Sequence, residues 1–422
     1  MHISADSLNG TVVVPPSKSY AHRAIMAASL AQGTSLIQNV GLSEDITATI
    51  NAMQAFGARI SSPPLYKERT SLTITGISSQ FNGTVPTIDC HESGSTLRFV
   101  LPVALALCGE ALVTGSDRLA QRSLTPYQSL FAEKKIRWQQ IPKQFPIHLK
   151  GALHPGDFPI SGSVSSQLIS GLMFALPLLD HPSVIRITDS LESSGYVTIT
   201  RDVLSQFGIA IKEDGRSFLI NSEPYRSNTY TIEGDWSQAA FLLLMGVLGG
   251  RITIRGLNRD SKQGDRAIKS ILTSMNGQIY WNDDELIAEK SKLTATTVDV
   301  AQCPDLAPVI AGAMALADGK SVIKGGKRLR DKESDRITSV ANALNSLGAD
   351  VTETEDGMII RGVPFLRGGS VSSHNDHRLA MLLTSLSVIV HGRIHLQEAH
   401  AVAKSWPDFY HVFQTIGGCC NE

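Results

Sequence analysis

The chain has 422 residues, which is too long for one ordinary hydrophobic core and long enough for two domains. Hydrophobic residues make up 42% of it and charged residues 18%, as in an ordinary globular protein. The 38 Lys and Arg residues nearly balance the 39 Asp and Glu residues, so the net charge attracts neither nucleic acid nor a membrane surface. Any site for an anion must therefore be a local concentration of positive charge.

The N-terminal segment gives no sign of export. Residues 1–6 contain neither the basic nor the apolar stretch of a signal peptide, and they lack the Arg- and Ser-rich character of a transit peptide. The longest apolar runs, such as residues 241–250, are too short to span a bilayer. We therefore expect a cytoplasmic protein that does not enter a membrane.

The cysteines and histidines predict neither disulfides nor a metal site. The five cysteines are odd in number and contain no CxxC pair; they are Cys90, Cys108, Cys303, Cys419 and Cys420. His391 and His395 are four residues apart, but they lie in a β-like run and no HExxH motif is present. A Walker loop and a GxGxxG turn after a strand are also missing from the sequence, so nucleotide-driven chemistry is not indicated.

The first predicted element is a strand over residues 11–14, which ends at the turn marker Pro15-Pro16. After this strand the chain repeats one pattern six times, at intervals of about 70 residues. Each copy opens with small or charged polar residues and continues into a helix rich in Ala and Leu. The six openings are Ser17-Lys18-Ser19, Ser93-Gly94-Ser95, Ser165-Ser166-Gln167, Asp235-Trp236-Ser237, Asp305-Leu306-Ala307 and Asn375-Asp376-His377.

The elements that follow each opening helix recur as well. A β-like run comes next, for example over residues 34–40, 251–255 and 393–396. A second helix follows in most copies and ends near Gly57, Gly208 or Gly348, as expected at a helix C′ position where φ is positive. One unit thus reads helix, strand, helix, strand, with a further strand before the next copy. This alternation predicts a fold of the α/β or α+β class.

Six such units divide naturally into two groups of three. The polar stretch at residues 221–230, which contains Pro224, is typical of a boundary between them.

Repetition by itself is also typical of a scaffold that binds other proteins on a concave surface. Such a scaffold needs caps at its helix starts, and Ser or Asp would suffice. It does not need cations there, because a positive charge near a helix N-terminus opposes the helix dipole by roughly 0.3–1 kcal/mol. Cations nevertheless recur in the first turns, at Lys18, Arg23, Arg98, Arg336 and Arg378. The pattern indicates helix N-termini that receive an anion, such as phosphate or carboxylate.

Four segments carry a resemblance to a known family. They are Pro16-Ser17-Lys18-Ser19-Tyr20-Ala21-His22-Arg23, Arg330-Asp331-Lys332-Glu333-Ser334-Asp335-Arg336, Asn375-Asp376-His377-Arg378 and Ala403-Lys404-Ser405-Trp406-Pro407-Asp408. In this order they resemble motifs of the 5-enolpyruvylshikimate-3-phosphate synthases. The segments extend from about residue 15 to about residue 410, so the resemblance covers nearly the whole chain.

The resemblance implies two similar globular domains, each built from three repeated β/α units as an inside-out α/β barrel. Residues 1–14 and 228–422 would form a discontinuous domain on the phosphoenolpyruvate side. Residues 15–227 would form an inserted domain on the shikimate 3-phosphate side, and the active site would lie in the cleft between the two domains.

The reaction that the resemblance implies is transfer of the enolpyruvyl group of phosphoenolpyruvate to 3-phosphoshikimate. Each substrate carries a phosphate and a carboxylate, so the site must be rich in Arg and Lys, and Arg can bind each group through two hydrogen bonds. Proton transfers to and from the reacting carbon require acid and base groups but neither a metal nor a redox cofactor. We expect a monomer that binds these small molecules and neither nucleic acid nor a membrane.

Individual roles follow from the matching motif positions. The resemblance assigns catalysis to Asp305, Glu333 and Lys18, with Asp305 receiving the proton of the 5-hydroxyl. It assigns shikimate 3-phosphate to Lys18, Ser19, Arg23, Ser165, Ser166, Gln167, Ser193, Tyr196, Asp305 and Lys332. It assigns phosphoenolpyruvate to Lys18, Gly94, Arg122, Gln167, Arg336, Arg378 and Lys404.

Structural roles are also typical of several of these residues. The charge run at residues 331–336 would suit a solvated helix face, although Lys332 and Arg336 would then repel each other at a spacing of four. Ser165 and Asp305 would serve as helix caps, and Tyr196 as a packing residue.

Three positions depart from the family pattern. Glu92 stands where the family usually has Asn, Ser95 where it has Thr, and Arg328 where many members carry Asn. Gly94 leaves the space that inhibitors of the glyphosate type need, so the resemblance implies sensitivity to glyphosate.

Two other functions are left open. A related family transfers the enolpyruvyl group to UDP-N-acetylglucosamine, but it typically has Asn after the first Lys and a loop Cys near Arg122, whereas Ser19 follows Lys18 here. A non-catalytic relative would bind anions only, and it would not need Asp305 and Glu333 beside those anions.

Overall fold

A computed structural model describes residues 1–62, 69–77 and 85–421. The strands are β1 (His2–Ser4), β2 (Leu8–Val13), β3 (Thr34–Gly41), β4 (Arg59–Ser61), β5 (Arg69–Thr75), β6 (Thr87–Asp89), β7 (Glu110–Thr114), β8 (Arg137–Gln139), β9 (Ile147–Lys150), β10 (Asp157–Ile160), β11 (Ser183–Ile187), β12 (Ile211–Asp214), β13 (Ser217–Ile220), β14 (Thr229–Thr231), β15 (Gly250–Arg255), β16 (Gln278–Asn282), β17 (Glu285–Glu289), β18 (Thr297–Asp299), β19 (Lys320–Lys324), β20 (Asp350–Glu353), β21 (Met358–Arg361), β22 (Leu366–Ser372), β23 (Val390–Gln397) and β24 (Cys419–Asn421). The α-helices are α1 (Lys18–Leu30), α2 (Glu44–Ala55), α3 (Gly94–Leu107), α4 (Asp117–Ala120), α5 (Thr125–Glu133), α6 (Ser166–Ala175), α7 (Ser194–Gln206), α8 (Trp236–Gly249), α9 (Ala267–Ser274), α10 (Ala307–Met314), α11 (Arg336–Ser346), α12 (His377–Leu386) and α13 (Phe409–Thr415).

The repeat predicted from the sequence is confirmed by the helix starts. Ser17, Ser93, Ser165, Asp235 and Asp376 are the N-cap residues of α1, α3, α6, α8 and α12. The opening at 305–307 begins with a short 3₁₀ turn, Pro304–Leu306, which leads into α10. The second helices of three copies end before Gly57, Gly208 and Gly348, and these three glycines have φ values of 100°, 84° and 89°. All three are in the left-handed region, where Gly carries no penalty.

Each repeat also builds a sheet of the same design. The described strands form six four-stranded sheets, in the orders β22-β23-β1-β24, β10-β11-β13-β12, β14-β3-β5-β4, β16-β17-β15-β2, β18-β19-β21-β20 and β6-β7-β9-β8. In every sheet one pair of strands is parallel and the remaining pairings are antiparallel, as in the pairings of β18 with β19, β19 with β21, and β20 with β21. The fold is thus of the α/β class, with one sheet for each repeat.

The chain divides into two compact units. The discontinuous unit comprises Met1–Pro15 and Glu233–Glu422, and the inserted unit comprises Pro16–Ile232. The division falls five residues after the predicted boundary at 227/228, because β14 pairs in parallel with β3 of the inserted unit. The discontinuous unit in turn takes up β2, which pairs in parallel with β15. The two strands that precede α1 and α8 in sequence are therefore exchanged between the units.

Helices rather than sheets occupy the centre of each unit. In the discontinuous unit every residue of α8, α10 and α12 is buried, and in the inserted unit α1, α3 and α6 are nearly as fully buried. A helix that is apolar all around has no face suited to water, so it belongs in a core. The charged residues of these central helices lie in the first two turns.

None of the helices in the described part of the chain is long and apolar enough to cross a membrane.

The position of β14 makes a testable prediction about the inserted unit. We expect a fragment of residues 16–232 to fold with one cooperative thermal transition, because its residues share one core. A fragment of residues 16–227 lacks β14 and the buried side chain of Ile232, whose carbonyl accepts a 2.7 Å hydrogen bond from Asn39 Nδ2. It should be less stable by at least about 2 kcal/mol in urea titrations. Equal stability of the two fragments would place β14 outside the unit.

Candidate active site

The strongest ionic cluster of the discontinuous unit is centred on Arg336, the first residue of α11. Its side chain is 2% exposed and is bound by three carboxylates. Nε donates to Asp376 Oδ2 at 2.8 Å, Nη1 to Asp305 Oδ1 at 2.8 Å and Nη2 to Glu333 Oε2 at 2.6 Å. Burial opposes the charge of Arg336, but Asp376, Glu333 and Asp305 outweigh burial and raise its pKa above the usual range. The arrangement brings together the two carboxylates, Asp305 and Glu333, that the sequence predicted as catalytic.

Asp305 is itself surrounded by cations. Arg378 Nη2 donates to Asp305 Oδ2 at 2.9 Å, and Lys332 Nζ lies 3.6 Å from Oδ1. Burial alone would raise the pKa of Asp305, but Arg378, Lys332 and Arg336 together hold it well below its usual range. Asp305 is therefore an anion in the ligand-free protein.

Asp376 joins the cluster to the start of α12. Its side chain is fully buried, and Oδ1 accepts the backbone N–H of Arg378 at 2.9 Å. Ser334 Oγ also donates to it. Although burial acts in the opposite direction, Arg336 lowers the pKa of Asp376. One carboxylate therefore caps α12 and orients the guanidinium of Arg336.

Two predicted structural roles in this unit are wrong. Residues 331–336 do not form a helix face, because α11 begins only at Arg336 and Lys332 has extended backbone angles. The expected helical repulsion between Lys332 and Arg336 therefore does not arise at that spacing. Asp305 does not cap α10, whose N-cap residue is Leu306. Lys332, Arg336 and Asp305 instead belong to the ionic cluster.

Lys404 lies in the 3₁₀ helix Ala399–Lys404 and is buried. Its Nζ donates to the main-chain oxygen of Asn375 at 2.9 Å. Since Asn375 directly precedes the N-cap residue of α12, the ammonium group is placed at the start of that helix. The structure thus brings Lys404, Arg378, Arg336, Lys332, Asp305 and Glu333 to one region of the discontinuous unit.

In the inserted unit, Lys18 lies in the first turn of α1. Its Nζ forms a 2.8 Å ion pair with Asp45 of α2, and both side chains are largely buried. No local signal in the sequence marks Asp45, because an acidic residue in the first turn of a helix is an ordinary feature. Its partner Lys18 lies 27 residues away, and the helix pattern carries no information about that contact. Asp45 is therefore an additional member of the site.

A buried polar network lies next to this ion pair. His22 Nδ1 is 2.7 Å from Thr49 Oγ1, which is 2.6 Å from Thr96 Oγ1, and Thr96 bonds to Ser93 Oγ at 2.7 Å. Burial, assisted by Lys18, holds the pKa of His22 well below its usual range. A neutral His22 thus ties the first turns of α1, α2 and α3 together.

Arg23 is held entirely by the inserted unit. Its guanidinium donates to Thr200 Oγ1 at 2.7 Å, to the Ser19 oxygen at 2.8 Å, to the Tyr196 oxygen at 3.2 Å and to Ser170 Oγ at 3.4 Å. Burial lowers its pKa to about 10. These bonds leave few N–H groups of Arg23 for a ligand, and they also fix the main chain at Ser19 and Tyr196, two predicted substrate residues.

Gln167 connects α6 to α3. Its Oε1 accepts from Arg98 Nη1 at 2.9 Å, and its Nε2 donates to Ser95 Oγ at 2.7 Å. The close approach of these helices depends on Gly171, since a Cβ there would lie 2.3 Å from the Arg98 carbonyl oxygen. The amide of Gln167 is therefore fixed at both ends.

Gly94 provides room for two guanidinium groups. A Cβ at this position would lie 2.4 Å from Arg122 Nη1 and 2.9 Å from Arg98 Nη1. The absence of a side chain thus lets Arg122 and Arg98 lie over the N-terminus of α3, where free N–H groups favour an anion.

The remaining predicted residues lie at helix starts of the same unit. Ser165 caps α6 by accepting from the Gln167 N–H at 3.3 Å, as its structural interpretation predicted, and Ser166 is buried beside it. Ser193 has a left-handed backbone, with φ of 52°, at the start of α7. The ring of Tyr196 lies 5.8 Å from the guanidinium carbon of Arg23. The start of α6 thus presents the hydroxyl groups of Ser165 and Ser166, and the start of α7 presents the hydroxyl of Ser193 and the ring of Tyr196.

Among the departures from the family pattern, Glu92 is half-buried just before Ser93, the N-cap residue of α3. Arg328 donates from Nη2 to the Ala301 oxygen at 3.0 Å. Arg328 thus contacts the segment that leads to Asp305.

The two clusters define a class of protein. Each unit has buried cations near helix N-termini, and the discontinuous unit also places Asp305 and Glu333 beside its cations. The same fold occurs in an EPSP synthase from Acinetobacter baumannii, which is 23% identical with a TM-score of 0.80 and 99% coverage of both chains. It also occurs in the enolpyruvyl transferase NikO from Streptomyces tendae, which is 17% identical with a TM-score of 0.79 and coverage of 99% of this chain and 97% of that one. The architecture is that of the enolpyruvyl transferases.

Sequence relatives identify the family within this class. The pattern of the family described as EPSP synthase (3-phosphoshikimate 1-carboxyvinyltransferase) matches residues 4–413. A 3-phosphoshikimate 1-carboxyvinyltransferase from Clostridium novyi is 41% identical over 426 residues, which cover 100% of this chain and 98% of the relative. One from Clostridium kluyveri is 42% identical over 422 residues, with coverage of 100% and 98%. The chain belongs to the EPSP synthase family.

The Arg336 cluster makes a prediction about stability. Asp376→Asn keeps a cap for α12 but removes a buried charge from Arg336, so it should lower the free energy of unfolding by about 3–5 kcal/mol. Tryptophan fluorescence in urea can measure this, because three of the four tryptophans, Trp236, Trp281 and Trp406, lie in the discontinuous unit.

Asp335→Asn is the matched control for this measurement. Asp335 caps α11 and pairs with Arg330 at 2.9 Å. Each of these two side chains is more than a third exposed. Its loss should cost about 0–1 kcal/mol. Equal effects of the two substitutions would contradict a dominant role for the buried pair.

Proposed function

We propose that this protein transfers the enolpyruvyl group of phosphoenolpyruvate to the 5-hydroxyl of 3-phosphoshikimate and releases phosphate. This step belongs to the shikimate pathway, which leads to chorismate and the aromatic amino acids. The observation that carries the proposal is the placement of Asp305 and Glu333 against Arg336, Arg378 and Lys332. In a protein that only bound anions, two carboxylates beside the cations would weaken the binding of those anions.

The chemistry proceeds by addition and elimination. The 5-oxygen of 3-phosphoshikimate forms a bond to C2 of phosphoenolpyruvate, its hydroxyl proton leaves, and C3 gains a proton to become a methyl group. The C2–O bond to phosphate then breaks, C3 loses a proton, and the enol ether forms again. The reaction is balanced by one released phosphate and needs no electron acceptor.

Proton transfer is assigned to Asp305 and Glu333, with Asp305 receiving the 5-hydroxyl proton and Lys18 acting beside both substrates. Lys18 is already oriented by its ion pair with Asp45. Phosphoenolpyruvate is bound by Lys18, Gly94, Arg122, Gln167, Arg336, Arg378 and Lys404. 3-Phosphoshikimate is bound by Lys18, Ser19, Arg23, Ser165, Ser166, Gln167, Ser193, Tyr196, Asp305 and Lys332.

The discontinuous domain is proposed as the phosphoenolpyruvate side and the inserted domain as the 3-phosphoshikimate side. The protein acts as a cytoplasmic monomer in this proposal.

The test of the reaction is phosphate release by the purified protein. Phosphoenolpyruvate is supplied with 3-phosphoshikimate in one sample and with UDP-N-acetylglucosamine in another. We expect release in the first sample only. Release in the second sample alone would assign the protein to the other transferase, and no release in either sample by folded protein would favour an anion-binding relative.

The role of Glu333 is tested by Glu333→Gln, which keeps its size and removes its charge and basicity. Turnover should fall by roughly 10²-fold or more if this group transfers a proton. Glu355→Gln is the control, because Glu355 is highly exposed and pairs only weakly with Lys327 at 3.3 Å. Turnover of Glu333→Gln within twofold of that control would remove Glu333 from the mechanism.

Gly94→Ala tests how Arg122 binds phosphoenolpyruvate. The added methyl group would displace the end of the Arg122 side chain, which can move without unfolding the protein. The loss of one charged hydrogen bond predicts a KM for phosphoenolpyruvate about 10-fold higher or more. The KM for 3-phosphoshikimate serves as the internal control and should change far less; an equal rise in both would contradict the assignment.

A further inference from the structure

Two neighbouring loops of the inserted unit lead from one sheet to two helix starts of the candidate site. Strands β10 and β11 are parallel, and their last residues, Ile160 and Ile187, are paired in register. Because parallel strands run in the same direction, the loops that follow them leave the sheet at the same edge. The first loop, residues 161–165, ends on the N-cap residue of α6, and the second loop, residues 188–193, ends on the N-cap residue of α7. Both N-cap residues are serines assigned to 3-phosphoshikimate.

Asp189 in the second loop joins the two loops through four hydrogen bonds. Its Oδ1 accepts the backbone N–H groups of Gly162 at 2.6 Å and Ser163 at 3.1 Å. Its Oδ2 accepts the hydroxyl groups of Ser161 at 2.6 Å and Ser163 at 2.7 Å. Partial burial opposes its charge, but these hydrogen bonds outweigh burial and lower the pKa of Asp189. Asp189 therefore binds the first loop as a carboxylate at neutral pH.

The backbones of the two loops are also in contact. The Glu192 N–H donates to the Gly162 carbonyl oxygen at 3.3 Å. A Cβ at Gly162 would lie 2.8 Å from the Ser190 oxygen, so a glycine is needed for this approach. Ser193, at the end of the second loop, has a left-handed φ of 52°, which a residue other than Gly adopts only where its surroundings impose it. The bonds of Asp189 are thus part of what fixes the start of α7.

The starts of α6 and α7 are suited to bind a phosphate group together. Helix N-termini present N–H groups to an anion, and the serine hydroxyl groups at these starts can donate further hydrogen bonds. Hydrogen bonds weaken steeply when donor and acceptor are misplaced. A phosphate that is bound by two helix starts therefore requires a fixed separation between them.

We propose that Asp189 is a positioning residue for 3-phosphoshikimate: by joining the two loops it fixes the separation of the starts of α6 and α7, and so sets the affinity for the phosphate of this substrate. The inference rests on the proposed function, because it concerns how 3-phosphoshikimate is bound. Asp189 acts through the first loop and does not itself contact the substrate. It should therefore affect binding strongly and the chemical step weakly.

The main test is calorimetric titration of the wild type and Asp189→Ala with 3-phosphoshikimate alone. We expect a Kd at least about 10-fold higher in the variant, because small displacements of binding groups have large effects. With both substrates at saturation, kcat should fall by less than about threefold, since the loss of uniform binding raises KM and leaves kcat unchanged. An unchanged Kd in folded Asp189→Ala, or a kcat that falls as much as the Kd rises, would overturn the proposal.

A purely structural role predicts a different result. Ile185→Val removes a buried methyl group from β11, so it lowers the stability of the same sheet from inside a strand rather than from either loop. Its Kd should equal that of the wild type, and a rise as large as that in Asp189→Ala would overturn the proposal. Asp157→Asn, at the start of β10, removes an exposed ion pair with Arg186 and should match the wild type in both Kd and kcat.

Ser163→Ala keeps the proposal testable even if Asp189→Ala folds poorly. It removes one hydroxyl bond to Asp189 and leaves the N–H bond, so the Kd should rise by about threefold. Because the two side chains share this bond, the Kd of the double variant should rise by less than the product of the two single effects. A wild-type Kd in Ser163→Ala, or independent effects in the double variant, would contradict the role of Asp189.

The same titrations separate this inference from the proposed function. A wild type that does not bind 3-phosphoshikimate would refute the proposed function, and the inference with it. A wild type that binds 3-phosphoshikimate, together with a folded Asp189→Ala that binds it equally well, would refute the inference alone.

Discussion

The ionic environment of Arg336 is the interaction on which the discontinuous unit depends. A guanidinium group that is 2% exposed must be neutralised, and three carboxylates from three different segments do so. Each of these carboxylates is fixed in return, because moving one would leave a buried charge without its partner. The start of α11, the turn before α10 and the cap of α12 are thereby held in one geometry.

The repeat explains how such charges reach a protein interior. Each unit buries three apolar helices at its centre, and the charged residues that these helices carry lie in their first two turns. The N-termini supply free N–H groups, and the cations add to their positive potential. Positive charge at these positions destabilises each isolated helix, which is consistent with sites that are completed by anions. The helix N-termini are thus less stable than they could be, and in return they attract anions.

The sequence predicted the repeat well because its signals are local. Caps, apolar helices and glycines with positive φ are read within a few residues, and the structure has them at Ser17, Ser93, Asp376 and Gly57. The exchange of β2 and β14 was harder to place, because strand pairing depends on partners distant in sequence. The predicted boundary at 227/228 therefore lies five residues before the division in the structure and leaves β14 on the wrong side.

For the site residues, too, local signals were read correctly and contacts between distant residues were not. The motif around residue 336 marked the correct charges but suggested a helix face, whereas the fold directs Lys332 and Glu333 towards Asp305 and Arg336 before the helix begins. Asp45 carries no motif of its own. Its ion pair with Lys18 joins residues 27 positions apart, which no local pattern encodes.

The low pKa of Asp305 raises a question about its proposed role, because a strongly stabilised carboxylate is a weak base. The cations that stabilise it, Arg336 and Arg378, are also the groups assigned to phosphoenolpyruvate. An anion that binds them adds negative charge beside Asp305, and this raises its pKa. The base would therefore become effective only when the substrate is present, while in the empty protein the same charges serve to hold the structure together. If the proposed roles hold, the ion pairs of Asp305 would be the resting state of the site, and substrate binding would exchange one anionic partner of the arginines for another.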